Sequence, residues 1–148
     1  MKLIRMAVIT MAAFCPCIFA QQPAEQDISG TWVQTSNEAI KWTVVEKDGA
    51  MHIQQMNGSK TIVDFTCTLN GKECPTKEDG RPEKIMLYYN GPKLVVIKER
   101  GNDALKQRIA LSPDGKTFLL ETVPLSDSQK SETLTFHREP PASTTNKS

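Results

Sequence analysis

Short apolar runs alternate with polar turns along residues 29–139 of this 148-residue chain. The turns contain Asn-Gly, Asp-Gly or Gly-Asn pairs, and such residues supply the positive φ that tight hairpins require. The runs between them are rich in Val, Ile, Thr, Tyr and Phe, which favour strands. Strands are predicted near 30–35, 41–47, 50–56, 60–67, 83–90, 93–100, 104–111, 116–123 and 132–138. A strand stub is considered near 72–74, and 36–40 is the one segment that could hold a helical turn.

Alternation within the runs gives each strand one apolar and one polar face. Leu105, Ile109 and Leu111 share one face of their strand, whereas Lys106 and Arg108 lie on the other. Connections this short make neighbouring strands antiparallel, and closure of the sheet removes its exposed edges. We therefore predict an all-β fold with little helix, an antiparallel up-and-down β-barrel of about eight or nine strands.

The first twenty residues have the layout of a secretory signal peptide. Lys2 and Arg5 precede an apolar stretch that ends at Ala20, near which we expect cleavage. The stretch is too short for a permanent membrane span, so a secreted or periplasmic location is predicted. The predicted organisation is a signal peptide over 1–20, a linker over 21–28, a barrel domain over 29–139 and a disordered tail over 140–148.

Two alternatives remain for this leader. Cys15 and Cys17 lie within it, and either could carry a lipid. However, the bulky Phe14 precedes the first and Pro16 precedes the second, and both fit badly with the small residue that lipoprotein processing prefers. A membrane anchor that is never cleaved is the other alternative.

The charge balance argues against a nucleic-acid partner. Without Lys2 and Arg5 the chain has 16 basic residues in place of 18, against 17 acidic ones. Nucleic-acid binding needs a strongly basic face, and here basic and acidic residues are interleaved. We expect a monomer.

Cys67 and Cys74 flank the turn Asn70-Gly71, and they are the two cysteines that follow the leader. In an oxidising compartment two cysteines placed across a hairpin can reach each other. The pair is therefore predicted to form a structural disulfide. Their spacing is not Cys-x-x-Cys, so a redox pair is not indicated.

Residues with catalytic potential do not form a recognisable constellation. His52 and His137 alternate with Ile53 and Phe136, which places both histidines on solvent-facing sides. Asp64 is interpreted either as a solvent-facing residue or as a buried anchor for a ligand. The sequence contains no nucleophile elbow, phosphate loop or metal-ligand spacing. We predict that the protein is not an enzyme and that it has no cofactor, metal or catalytic residues.

Met and aromatic side chains are the candidates for lining a ligand cavity, because they adapt to apolar molecules. The same side chains would serve equally well as core filling in a closed barrel. The candidates are Trp42, Met51, Met56, Met86, Tyr88 and Tyr89.

The opening Gly30-Thr31-Trp32 resembles the Gly-x-Trp signature of the lipocalins and the wider calycin superfamily, and Arg138 resembles the late arginine of that group. The turn at 112–116, Ser-Pro-Asp-Gly-Lys, is similar to one in small secreted lipocalin-like domains of bacteria. The resemblance implies a barrel of lipocalin type in which Arg138 stacks on Trp32 where the first and last strands meet.

The same resemblance implies a function. A lipocalin-like domain binds a small apolar or amphipathic ligand without catalysis. An internal pocket below about 300 Å³, the usual lower size of a ligand site, would argue against this function. The alternative is a filled barrel that acts through its surface, as a protein-interaction or inhibitor module in the cell envelope.

Overall fold

Ten antiparallel strands form a closed barrel in the computed structural model, which describes residues 27–125 and 130–140. The strands are β1 (Gly30–Gln34), β2 (Asn37–Lys47), β3 (Ala50–Asn57), β4 (Lys60–Thr68), β5 (Cys74–Glu78), β6 (Arg81–Asn90), β7 (Lys93–Arg100), β8 (Asp103–Leu111), β9 (Thr117–Pro124) and β10 (Glu132–Arg138). The described residues contain no helix. The predicted all-β barrel is confirmed, with ten strands rather than eight or nine.

Several predictions on domain organisation lie outside the described residues. These are the signal peptide at 1–20 with Cys15 and Cys17, most of the linker and most of the tail.

The strands follow one another around the barrel in chain order. Each strand pairs with the one before it, and the last pairs with the first. In that closing pair Trp32 is opposite Arg138, and Gln34 is opposite Phe136. The first strand is therefore hydrogen-bonded on both sides, since Trp32 is also opposite Trp42 of β2.

Two predicted boundaries were wrong. β2 begins at Asn37, so the segment 36–40 is mostly strand and not a helical turn. β5 is a complete strand, whereas the sequence indicated only a stub near 72–74. Its sequence is Cys-Pro-Thr-Lys-Glu, in which proline and charged residues hide the usual strand composition.

The predicted disulfide between Cys67 and Cys74 is confirmed, with a Cα–Cα distance of 5.8 Å. It joins β4 to β5, where one ladder pair, Val63 with Glu78, connects the two strands. β5 forms five such pairs with β6, so the seam between β4 and β5 is the weaker of its two edges. A covalent link across so short a loop contributes about 2–3 kcal/mol, mainly by restricting the unfolded chain.

The two ends of the barrel differ in chemistry. We call the end at residues 27–29 and the turn 112–116 the closed end, because Trp32 and Arg138 lie there. We call the opposite end, at the turns 79–80 and 101–102, the mouth. The core between the two ends consists of inward-facing apolar side chains contributed by nine of the ten strands. Its most buried members are Trp32, Met51, Ile85, Leu87 and Phe118.

Candidate functional site

The mouth holds a cavity of about 260 Å³. Strands β5 to β9 supply its lining. The lining residues are Glu78, Glu83, Lys98, Arg100, Asp103, Ala104, Leu105, Thr122 and Pro124. Charged and apolar side chains therefore share one small space, which suits an amphipathic ligand better than a purely apolar one.

Strand alternation explains why charged side chains point inward here. Glu83 is two residues from Ile85, so the same face of β6 carries a core residue and, nearer the mouth, a carboxylate. On β7, Lys98 is likewise two residues from the buried Val96. Neither residue was predicted from the sequence. For Glu83, its position in phase with Ile85 and Leu87 is the signal that could have indicated an inward side chain.

The charged groups of the mouth contact one another. Arg100 Nη2 donates to a carboxylate oxygen of Glu78 and lies 3.5 Å from Glu83 Oε1. Lys98 Nζ lies 4.0 Å from Glu78 Oε1. Glu83 and Lys98 are 5% and 8% exposed. Buried charges persist only with partners, so this network keeps both signs of charge inside the mouth.

The network leaves buried polar atoms without a hydrogen-bond partner among the described residues. They are Glu83 Oε2 and Arg100 Nε in the mouth, with Gln107 Oε1 and Trp42 Nε1 deeper in the barrel. Buried polar groups in folded proteins are nearly always paired, and each exception needs a reason. A site that receives a polar ligand is one such reason.

Burial raises the pKa of the Glu83 carboxyl, because the ionised form is cut off from solvent. Lys98 and Arg100 oppose this shift, whereas the neighbouring Glu78 carboxylate adds to it. In the folded protein Glu83 therefore holds its proton at pH values where the unfolded chain has already lost it. The free energy of unfolding should fall as the pH rises from the ordinary glutamate value of 4.5 through the raised one.

We expect Glu83→Gln to abolish this pH dependence. Glutamine stays neutral, so the variant should be more stable than the wild type above the raised pKa, and the difference should vanish toward pH 4. Urea unfolding at a series of pH values measures both curves. Asp27, Asp64 and Asp114 have lowered pKa values, and the stability they contribute is lost as the pH falls. Their contribution is common to the wild type and Glu83→Gln, so it cancels in the difference between the two free energies of unfolding.

Glu121→Gln is the matched control for that experiment. Glu121 pairs with Arg108 at 3.0 Å, and the side chains of both are more than a third exposed. The control should therefore follow the wild-type curve. A Glu83→Gln curve parallel to the wild type would contradict the assignment of the slope to Glu83.

The centre of the barrel is filled. The void there is about 10 Å³ and is lined by residues that include Trp42, Val96 and Gln107. That volume accommodates about one water molecule. The mouth cavity therefore does not continue toward the closed end, and a ligand must be held close to the rim.

The closed end is occupied by an aromatic cluster. The Trp32 ring lies 4.8 Å from Phe118, which stacks on Phe136 at 4.7 Å. The Trp42 ring packs 5.6 Å from Phe136. Trp32 is fully buried, and its Nε1 donates a 2.9 Å hydrogen bond to the carbonyl of Ile28. These rings plug this end of the barrel with apolar volume.

Arg138 covers this plug from outside. Its guanidinium carbon lies 4.3 Å from the centre of the Trp32 ring, within the range of a cation–π contact. Three guanidinium nitrogens donate to the carbonyls of Gly115, Ser29 and Asp27. One side chain thus ties the β8–β9 turn to the segment that precedes β1.

Gly30 is required by this arrangement for two reasons. Its φ of +144° is a conformation that other residues rarely adopt. In addition, a Cβ at this position would lie 2.7 Å from Arg138 Nη1. Glycine at this position therefore allows the arginine to reach the tryptophan ring.

Five of the six predicted lining residues fall into two groups. Trp42, Met51 and Tyr89 lie inside the barrel as core filling, and the Tyr89 hydroxyl donates to Glu46 at 2.7 Å. Met86 and Tyr88 alternate with the buried Ile85 and Leu87, which places them on the outer face.

Met56 is half-buried and accepts a hydrogen bond from the Thr61 hydroxyl at the barrel surface. None of the six lines the mouth cavity.

His52 and Asp64 form a pair on the outer face. His52 Nε2 lies 2.8 Å from Asp64 Oδ1, and Gln54 donates to Asp64 Oδ2 at 3.0 Å. These contacts lower the pKa of Asp64, the His52 contact most. Asp64 is therefore a surface residue and not an anchor inside the barrel.

A second groove of about 400 Å³ runs along the outside of β5 and β6, beside residues such as Pro75, Pro82 and Lys84, and shares Glu83 with the mouth cavity. Most of its lining faces outward, so a ligand there would stay in contact with solvent. Across 27–125 and 130–140, no group of three His, Cys, Asp or Glu side chains could hold a metal ion. Within the same residues, no helix has the length and apolar character needed to span a bilayer.

No family model and no curated protein matches this sequence. Solved structures do resemble the fold. One is a secretary abundant heat soluble (SAHS) protein from Ramazzottius varieornatus, with a TM-score of 0.64 and 10% identity over 75% of this chain and 94% of the other. Another is the REP1-NXSQ fatty acid transporter, with a TM-score of 0.64 and 14% identity over 77% of this chain and 97% of the other.

At this level of identity the likeness concerns the fold alone. The described chain is a closed antiparallel β-barrel, and it shares this fold with both structures.

Proposed function

We propose that this protein binds a small amphipathic molecule at the mouth of its barrel and acts without catalysis. The observation that carries the proposal is the cavity of about 260 Å³ in which the buried Glu83 and Lys98 meet the apolar side chains of Leu105 and Pro124. Ligand pockets typically combine an apolar wall with a few polar groups that fix orientation. The similarity to a protein described as a fatty acid transporter supports a binding role for this barrel.

The size of the site limits the ligand. The mouth cavity of about 260 Å³ falls below the expected lower size of about 300 Å³ for a ligand site, so the binding proposal is restricted to a smaller compound. The filled centre excludes a long chain threaded toward the closed end, because the void beside Trp42 is only about 10 Å³. The proposed ligand therefore has a short apolar part and a polar head that stays near the rim.

We further propose that the protein is exported, with residues 1–20 removed as a signal peptide. The disulfide between Cys67 and Cys74 supports an oxidising compartment such as the periplasm or the extracellular space. Mass spectrometry of the mature protein from a secreting host would locate the first residue. We expect it at or near Gln21, and an intact leader would contradict export with cleavage.

Amide NMR titration tests the binding proposal directly. Hexylamine, hexanoate and hexanol offer one apolar chain with three different heads, and at least one should give saturable shifts. We expect the shifts at Lys98, Asp103 and Leu105 in the mouth, and not at Gly115 at the closed end.

A pair of tryptophan substitutions controls for non-specific binding. Leu105→Trp would fill the cavity and should abolish the shifts, whereas Leu119→Trp adds the same ring to a side chain that is 49% exposed. Shifts that persist in Leu105→Trp, or the absence of saturable shifts with all three compounds, would refute a ligand site in the mouth.

The second candidate function is a filled barrel that acts through its outer surface as an interaction or inhibitor module. The filled centre favours it, since most of the interior has no space for a ligand. It predicts no saturable binding at the mouth, so the same titration separates the two candidates.

A further inference from the structure

The mouth contains two unsatisfied groups of opposite chemical character. Glu83 Oε2 is a buried acceptor, and Arg100 Nε is a buried donor. Neither has a hydrogen-bond partner among the described residues, and both side chains line the same cavity. Because the Arg100 guanidinium lies 3.5 Å from Glu83 at its nearest approach, one small molecule can address both groups at once.

The charges around this pair are also mixed. Glu78, Glu83 and Asp103 supply carboxylates, and Lys98 and Arg100 supply cations. A ligand with a single negative charge would compete with the carboxylates for Lys98 and Arg100. A ligand with a single positive charge would compete with Lys98 and Arg100 for the carboxylates. A ligand with both charges can pair with each kind and leave the existing network intact, which avoids the cost of an unpaired buried charge.

The rest of the cavity limits what such a molecule can carry. Leu105, Ala104 and Pro124 provide an apolar wall beside the charged groups. The volume of about 260 Å³ leaves room for a short apolar substituent and not for a long chain.

We propose that the mouth selects a small zwitterion of the amino-acid type, with its ammonium group on Glu83, its carboxylate on Arg100 and a short aliphatic side chain against Leu105 and Pro124. This inference rests on the proposed function, because it assigns a ligand class to the same cavity. The ammonium group would lie beside the buried Glu83 carboxyl, where it favours the ionised form. Protonation of Glu83, whose pKa burial raises, therefore competes with the ligand.

The pH dependence of binding follows from the groups that face Glu83. They are Glu78 on β5, Lys98 and Arg100 on β7, and Asp103 on β8. Burial raises the pKa of the Glu83 carboxyl, so its ionisation is the change that the ammonium group of the ligand senses. Affinity for the zwitterion should rise as the pH increases through the raised pKa of Glu83.

Leucine and two of its fragments test the assignment by calorimetric titration of the full chain. Isocaproate is leucine without the amino group, and isopentylamine is leucine without the carboxylate. Leucine should bind about tenfold more tightly than either fragment, the factor expected for one additional charge-assisted hydrogen bond.

Two variants locate each end of the ligand. Glu83→Gln should remove the advantage of leucine over isocaproate and leave isocaproate binding unchanged. Arg100→Met should remove the higher affinity of leucine relative to isopentylamine. Arg108→Met is the control, because Arg108 pairs with Glu121 outside the cavity and should not affect any affinity. Thermal unfolding of each variant shows that the barrel is intact.

The outcomes separate this inference from the proposed function. If either fragment binds as tightly as leucine, the zwitterion assignment is overturned and the mouth remains a ligand site. The zwitterion assignment is also overturned if hexylamine, hexanoate or hexanol gives saturable NMR shifts at the mouth and leucine does not bind. If no compound binds, both proposals fail. The leucine-against-fragment comparison uses the wild-type protein, so it stands even if a variant does not fold.

Discussion

Replacing Trp32 with alanine should lower the free energy of unfolding by about 3–5 kcal/mol, the range for removing a large aromatic side chain from a core. The ring is fully buried and lies 4.8 Å from Phe118, so its loss leaves a cavity that the stacked pair Phe118 and Phe136 cannot fill. The substitution also removes the hydrogen bond to the Ile28 carbonyl and the surface on which Arg138 rests. Urea unfolding followed by circular dichroism measures the change.

Two further variants put the stability loss of Trp32→Ala in context. Trp32→Phe keeps an aromatic ring but cannot donate to Ile28, so its cost should be clearly smaller than that of alanine. Leu119→Ala, next to Phe118 in sequence but on the outer face, should change stability by about 0.5 kcal/mol or less. A Trp32→Ala loss no larger than the Leu119→Ala loss would show that the indole is not part of the structural core.

The fold could be predicted because the local signals agree with the global topology. Asn-Gly and Asp-Gly pairs mark the short hairpins, and Gly91 illustrates why, since its φ of +58° is needed in the turn between β6 and β7. The disulfide was predictable for a related reason. Cys67 and Cys74 flank the connection between adjacent antiparallel strands, which brings them together.

β5 could not be predicted because its stability comes from its neighbours. Its residues have little strand preference, and it is held by the ladder to β6 and the covalent link from Cys74 to β4. Propensity reports how well a side chain fits a half-buried pleated surface, and tertiary contacts override it here.

The charged residues of the mouth were not predicted because the sequence does not show which side chains of β7 face the barrel interior. Leu94, Val95 and Val96 are consecutive and each is only 1% exposed, so alternation does not show which face is inside. Val95 is opposite Tyr88 on one side and Arg108 on the other, which places it on the outer face. Without the phase, nothing in the sequence indicates that Lys98 points inward.

Both ends of this barrel carry charged side chains, but the surroundings of those charges differ. At the closed end Arg138 lies over the outside of an aromatic plug and satisfies backbone carbonyls, which is a structural role. At the mouth Arg100 and Lys98 lie among carboxylates around open volume, and two polar atoms there lack a hydrogen-bond partner within 27–125 and 130–140. The second environment is the one in which we propose a ligand.

Replacing Arg138 with methionine should destabilise the protein by about 2–4 kcal/mol, from the loss of charged hydrogen bonds and of the cation–π contact. Methionine keeps the apolar stem but cannot donate to the carbonyls of Gly115, Ser29 and Asp27. Because these carbonyls belong to the β8–β9 turn and to the segment before β1, hydrogen exchange should increase first at those two places.

Arg138→Lys tests whether charge alone accounts for the effect. A single ammonium group cannot make three hydrogen bonds in the fork geometry of the guanidinium, so lysine should recover only part of the loss. Arg108→Met serves as the surface control, since Arg108 pairs with the exposed Glu121 at 3.0 Å and such pairs contribute about 0–1 kcal/mol. If Arg138→Met costs no more than Arg108→Met, or Arg138→Lys is as stable as the wild type, the guanidinium does not hold the two ends of the sheet together. Full closure of the barrel must then come from the ladder between β1 and β10 and from the buried rings beneath it.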